Sequence, residues 1–232
     1  MTISIIIPTY NEQDTISELL CYLKKHSCGK SVEIIVVDGG SHDNTMIKAE
    51  EAGVICFESV QKRRSAQMNA GAKRASGDIL YFVHADSTPP PTFIADIKTA
   101  VEGGHPAGCF RFQFNSDHPL LKINAYCTRF DRIMCRGGDQ TLYITKSLFN
   151  RLGGYKDDFI IMEDYDLIER IQNKASFKII PKNVIISARK YEQNNYLKVQ
   201  AANFVVFMMY FWGCSQEKLH NTYAQLLSLP KF

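Results

Sequence analysis

Three apolar runs in the first half of the chain each end on a carboxylate set among turn residues. They are Ser4–Ile7 before Pro8-Thr9-Tyr10-Asn11-Glu12, Glu33–Val37 before Asp38-Gly39-Gly40-Ser41, and Ile79–Val83 before His84-Ala85-Asp86. A short continuous apolar run bounded by turn residues reads as a strand buried on both faces, as in a parallel sheet. An open α/β sheet holds its ligand just beyond the carboxyl ends of its strands. The three acidic loops are therefore expected to converge on one crevice. Gathering charge in this way is costly unless something bound there uses it, such as nucleobase N–H groups, sugar hydroxyls or a metal ion.

Between these runs the periodicity turns helical. Ile16, Leu19, Leu20 and Leu23 recur at helical spacing, with Glu12 and Asp14 at the positive end. Further helices are expected over 44–52, over 65–75 and from Pro91 to Glu102, with a short strand over 54–57. Regular alternation of strand and helix gives an α/β class: a Rossmann-like, mostly parallel sheet flanked by helices. The second half is less regular. Phe110, Phe112 and Phe114 alternate with Arg111 and Gln113, the mark of a strand with one buried face. A helix is expected over 120–133, a turn at Gly137-Gly138-Asp139-Gln140 and a strand over 141–145. A helix over 146–152, stopped by Gly153-Gly154, precedes another over 164–173 with Glu163 at its start. Short strands over 177–180 and 184–187 lead to helices over 195–212 and 216–227, a C-terminal helical tail.

The 232 residues are 45% hydrophobic and 22% charged, enough for a full core in a single domain. A net charge of +3 is too mild for a nucleic-acid partner, and Lys62-Arg63-Arg64 is the one dense basic run. The seven cysteines are odd in number, scattered and without a CxxC pair. That usage fits reduced thiols in the cytoplasm and argues against zinc. The chain opens on a strand-like run, without the basic segment or cleavage site of a signal peptide. Its most apolar stretch, 201–213, is shorter than the ~20 residues that span a bilayer. The helix over 197–213 is apolar nearly all round, which suits burial, a homodimer contact or a peripheral contact at the inner membrane surface.

The first turn offers a hydroxyl, an amide and a carboxylate from Thr9, Asn11 and Glu12, and Tyr10 is suited to stack on a base. Taken alone, it reads rather as a strand exit followed by a helix cap. In the second turn, Gly39 and Gly40 let the backbone approach a ligand closely. Asp38 directly follows an apolar run, where a charge needs a partner.

Together, 5–12, 34–45 and 79–86 resemble the signature of family 2 glycosyltransferases with the GT-A fold. The likeness continues through Gln67-Met68-Asn69-Ala70-Gly71-Ala72 and the Glu163-Asp164 pair, over roughly positions 1–190. The chain is most similar to a small single-domain bacterial subset with His84-Ala85-Asp86 in place of the common DxD and Gly138-Asp139-Gln140 ahead of a late strand. The resemblance implies inverting transfer of a sugar from a nucleotide-diphosphate donor, UDP-linked, to a hydroxyl acceptor, with a lipid-linked acceptor among the options. It implies that Pro8, Tyr10 and Glu12 line a uridine pocket, that Asp38 accepts the uracil imide N–H, and that Arg64 and Asn69 flank the nucleotide sugar. It places Asp86 on a divalent metal, Mg or Mn, that bridges the diphosphate. Asp164 becomes the general base, with Glu163 beside it. The chain would then divide into a nucleotide-binding half (1–105), an acceptor and catalytic half (106–190) and the tail (191–232).

The chain also departs from the family pattern. His84 replaces the first metal-motif aspartate and is expected to face the ligand, bonding the ribose or orienting Asp86 rather than binding metal. Where many GT-A enzymes supply a late His to the metal, this chain reads Ser187-Ala188-Arg189-Lys190-Tyr191. Arg189 and Lys190 either hold the diphosphate directly or form a solvated strand end. Asp139 and Gln140 either face the acceptor or form a plain turn. Asp166 competes with Asp164 for the role of base, although Gly153-Gly154-Tyr155 and the apolar 159–162 favour Asp164. A sugar nucleotidyltransferase would want a glycine-rich basic loop after the first strand, and a dinucleotide oxidoreductase a GxGxxG; neither follows it. A catalytically silent nucleotide-sugar binding protein stays open because of His84 and the missing late His.

Overall fold

The structure, a computed structural model, describes residues 1–227. Residues 228–232 of the expected tail lie outside the described residues. Strands β1 (Ile3–Thr9), β2 (Val32–Asp38), β3 (Ile55–Glu58) and β4 (Ile79–Phe82) lie in the order β3-β2-β1-β4, all parallel. Their apolar side chains divide between the two faces of the sheet. Ile3, Ile5 and Ile7 pack against α1 (Ile16–Ser27), α2 (Thr45–Glu51) and α4 (Phe93–Glu102). Ile6, Val37, Leu80 and Phe82 pack against α3 (Arg64–Arg74), α6 (Lys146–Leu152) and α7 (Glu163–Gln172). This is the three-layer arrangement that the alternating pattern calls for. At Gly71, a Cβ would stand 2.5 Å from Ile6 Cγ2, so the absence of a side chain lets α3 lie down on β1.

The second half completes one eight-stranded sheet. β7 (Leu142–Thr145) runs antiparallel to β4 and to β6 (Ala107–Phe114), and β8 (Phe177–Ile186) runs parallel to β6. A two-residue strand, β5 (Ser87–Thr88), closes the far edge against β8.

Three elements differ from the sequence reading. The helix expected over 120–133 stops early, as α5 (Pro119–Cys127), followed by a 3-10 turn over Ile133–Cys135. The carbonyls of Thr128 and Phe130 turn inward to accept from the buried Arg136 guanidinium, both at 2.6 Å, instead of continuing a helical ladder. The two short late strands are one, β8, whose register shifts between the pairs Phe110–Ile180 and Arg111–Asn183. Pro181, which has no N–H to give a ladder, sits in that irregularity. The basic Arg189-Lys190 segment is not a strand end but opens α8 (Arg189–Gln193), followed by α9 (Tyr196–Phe211) and α10 (Gln216–Leu227).

Register fixes what meets at the sheet edge. Thr9 lies opposite Asp38, Ile6 opposite Phe82, and Tyr81 opposite Tyr143 of the antiparallel β7. The exits of β1, β2 and β4 therefore gather at one edge with the entrance to β7, where Asp139 and Gln140 stand. No helix among the described residues is long and apolar enough to cross a membrane.

Candidate active site

The turn after β2 is self-contained. Asp38 is 1% exposed. Its Oδ1 accepts from the Thr9 hydroxyl (3.0 Å) and the Ser41 hydroxyl (2.6 Å), and its Oδ2 from the Gly40 and Ser41 N–H groups (2.8 and 2.6 Å). A carboxylate offers about four acceptor positions, and these donors fill them. Asp38, expected to accept a nucleobase N–H, is turned into its own loop and holds the exits of β1 and β2 together. Gln67, buried on α3, ties the same two exits by donating to the carbonyls of Thr9 and Val37 at 2.7 and 2.8 Å. Pro8 is buried inside β1 opposite Val37 and shapes the strand, whereas Tyr10 stands 37% exposed at the mouth. Asn69 also departs from its expected place beside a sugar. Its amide brackets Tyr155 through N–H and carbonyl (2.9 and 2.8 Å) and reaches Asp157 at 2.7 Å. Gly154 makes room for this bracket, since a Cβ there would stand 2.7 Å from Asn69 Oδ1.

After β4, His84 is buried and Asp86 half-buried. Burial, reinforced by the nearby Arg64 cation, pushes His84 down to about 4 despite Asp86, so its imidazole is neutral at physiological pH. Its Nδ1 lies 3.8 Å from the exposed Asp139 carboxylate. Gln140 does not face outward. It is 1% exposed, and Oε1 accepts from Cys109 Sγ at 3.8 Å, which is the turn-forming one of its two expected roles.

Three acids open α7, and the structure separates them. Asp166 takes Lys156 Nζ at 2.6 Å and Arg170 at 2.6 and 2.8 Å, so it is a structural anchor. Glu163, 4% exposed, has Arg64 Nη1 at 3.6 Å. Asp164, 7% exposed, receives one hydroxyl, from Tyr155 at 3.3 Å. Burial and then the adjacent Glu163 raise its pKa to about 7, while Arg64 and Tyr155 pull the other way. Arg64 is the hub of this crevice, within electrostatic reach of Glu163, Asp164, Asp139 and Asp86.

The C-terminal elements border the same space. Arg189 Nη2 lies 3.4 Å from Glu12, joining α8 to the first turn. Gln216 at the start of α10 accepts from the N–H groups of Ile160 and Ile161 (3.0 and 3.2 Å), just ahead of Glu163. Left-handed backbone at non-glycine residues concentrates here too, at Asn11 (φ +53°), Thr141 (φ +53°) and Met162 (φ +66°). Such strain gathers where a fold must hold functional groups in place.

No group of three His, Cys, Asp or Glu side chains poised for a metal occurs among the described residues. Asp86 and the neutral His84 offer an oxygen and a nitrogen donor, so a divalent ion fits only if ligand oxygens complete its shell. Sequence reasoning missed Lys156 and Arg170, and it named Gln67 and Tyr155 only as parts of motifs, without their partners. Gln67 shares a helix face with Arg64 in the sequence, but its bonds to the Thr9 and Val37 carbonyls come only with folding.

Comparison with known proteins agrees with this geometry. The sequence profile described as Glycosyl transferase family 2 matches residues 4–165. A dolichol-phosphate mannosyltransferase of Pyrococcus furiosus is 35% identical over 109 residues, 45% of this chain and 31% of that protein. The chain thus spans about a third of that relative's length. Among solved structures, S. aureus TarS 1–349 superposes with a TM-score of 0.70 at 16% identity, covering 98% of this chain and 71% of that one; TarS has also been solved with UDP-GlcNAc. The mannosyltransferase PcManGT of Pyrobaculum calidifontis, in complex with GDP-Man and Mn2+, gives a TM-score of 0.67 at 19% identity, covering 88% and 61%.

Proposed function

The chain belongs to glycosyl transferase family 2 and carries the GT-A fold, and from that premise we propose that it transfers a sugar from a UDP-linked donor to a hydroxyl acceptor with inversion at the anomeric carbon. The observation that carries this reading is Asp164, a buried carboxylate raised to about 7 by burial and by Glu163. A general base works best with a pKa near the working pH, and such a base contributes on the order of a hundredfold to ten-thousandfold. As the acceptor oxygen bonds to the anomeric carbon, its proton passes to Asp164. The bond from that carbon to the diphosphate breaks, and its electron pair leaves with the phosphate oxygen. Asp166 is tied to Lys156 and Arg170, and Glu163 faces Arg64, which leaves Asp164 as the acid of the three that is free to take a proton. One base with no covalent intermediate is a single displacement, which is the inverting course proposed here.

Arg64 stands where it can meet the diphosphate or the sugar beside it. Asp86, aided by His84, would hold a Mg or Mn ion together with the phosphate oxygens; such an ion neutralises charge on the leaving group. Mn2+ in PcManGT and UDP-GlcNAc in TarS support this choice of metal and donor.

The acceptor is lipid-linked, a reading supported by the dolichol-phosphate relative and by one face of the molecule. Leu197, Phe204, Phe211 and Trp212 on and after α9 are 71%, 64%, 45% and 73% exposed, and Ile123 and Tyr126 on α5 are 57% and 53% exposed. Tyr196 bonds Asn124 at 2.9 Å, so the two helices adjoin. Exposed Lys122, Arg129, Arg132 and Lys198 lie along these segments, and an apolar face with a basic rim suits an anionic membrane surface. Flotation with phosphatidylglycerol vesicles should recover the protein, and Phe204→Ser with Trp212→Ser should release it. A dimer that forms in solution and is lost in the same variant would assign the face to a second copy instead.

The reaction itself is tested by a thermal-shift screen of nucleotide sugars with and without Mn2+, followed by turnover of the best donor. Asp164→Asn should bind that donor and fail to transfer. Tight UDP binding with no turnover by the wild type would favour a silent carrier.

A further inference from the structure

Cations beside the cleft differ in how their charge is met. Arg64 faces Glu163 and Arg189 faces Glu12. Lys190 is half-buried and within electrostatic reach of Asp139 and Arg64, yet its hydrogen bonds among the described residues go to neutral groups. Its ammonium donates to Asn203 Oδ1 on α9 (3.3 Å) and to the Tyr223 hydroxyl on α10, which in turn donates to Asn203 Oδ1 (3.1 Å). The Tyr223 ring lies 4.8 Å from the Lys190 nitrogen. An ammonium has three donors, and two are spent here. Burial draws the Lys190 pKa below the ordinary lysine value, with Arg64 adding to the effect and Asp139 opposing it. A peg that merely fastened the tail would need no charge, and a desolvated cation without an anionic partner is costly.

Building on the donor reading above, we propose that Lys190 supplies the positive charge that meets the leaving diphosphate, and that Asn203 and Tyr223 are positioning residues that aim it. The C-terminal helical hairpin is then part of the donor site rather than an appendage to it. When the bond between the anomeric carbon and the phosphate oxygen breaks, the negative charge arriving on that oxygen is met by an ammonium already held in place. Lys190 gives up no proton in this step.

Calorimetry with matched pairs, uridine against UDP and guanosine against GDP, isolates the diphosphate contribution. The wild type should bind one diphosphate more tightly than its nucleoside. Lys190→Gln, which keeps donors for Asn203 and Tyr223, should retain nucleoside affinity and lose about tenfold or more in diphosphate affinity. Lys190→Arg should recover part of it. Tyr223→Phe should give a smaller loss confined to the diphosphate, and adding it to Lys190→Gln should cost nothing further, because the two act through one group. A diphosphate preference unchanged in Lys190→Gln overturns the proposal, as does an equal loss from Tyr223→Phe in both backgrounds. A lowered melting temperature with the preference intact shows a structural peg and overturns it as well. A wild type that prefers neither diphosphate sinks the donor reading together with this one.

Discussion

Asp38, at the end of β2, and Asp164, in the first turn of α7, are both buried aspartates, and their surroundings are opposite. Asp38 collects four hydrogen bonds from Thr9, Gly40 and Ser41, while Asp164 has one, from Tyr155, and a second carboxylate as its neighbour. Donors that suit the charged form make a carboxylate a strut. Burial beside a like charge makes it a base in waiting. On the proposed reading, donor count and neighbouring charge, more than residue type or position at a strand end, separate scaffold from reagent here.

Replacing Asp164 with Asn should have the largest effect, a loss of transfer of about a hundredfold to ten-thousandfold with donor affinity preserved. The same variant should gain stability. The folded pKa of about 7 lies above the unfolded value, so the folded state holds the extra proton between about pH 4 and 7, and this group's contribution falls as pH rises through that window. Thermal melts should therefore show Asp164→Asn above the wild type at pH 8, with the margin shrinking toward pH 5. Asp38→Ala should instead destabilise by about 1–3 kcal/mol, because it strands the Gly40 and Ser41 N–H groups; an unchanged melting temperature would erase the contrast. Tyr155→Phe removes the hydroxyl that favours charged Asp164, so the acid limb of the kcat/KM profile should move to higher pH. Asp166→Asn should lower the melting temperature and leave turnover nearly unchanged. A loss matching that of Asp164→Asn would return the two acids to equal standing.

Much of the architecture of the first half was legible, because a continuous apolar run ending in a turn has few other readings and parallel strands bring their exits together. Asp164 was legible as a position but not as an environment, since Glu163 is visible in the sequence whereas Tyr155 and Arg64 come to it through folding. The local role of Asp38 was not legible, for a local reason. Thr9 reaches it across 29 positions, and Ser41 folds back from three positions on. Lys190, Asn203 and Tyr223 lie 13 and 20 positions apart and belong to three helices, so no periodicity links them. The merged β8 was hidden by Pro181, which reads as a strand end unless a bulge can be foreseen.

Thr141 holds φ +53° directly after Gln140, and Met162 holds φ +66° directly before Glu163. Such a conformation costs a β-branched or long side chain about 1–3 kcal/mol, more than the roughly 0.5–1 kcal/mol of extra chain entropy that glycine would bring. The shortest route to a hardier protein thus runs through the mouth of its own cleft. An engineer who relaxed those two corners for heat resistance would be loosening the backbone that sets Asp139 and Asp164 within electrostatic reach of each other.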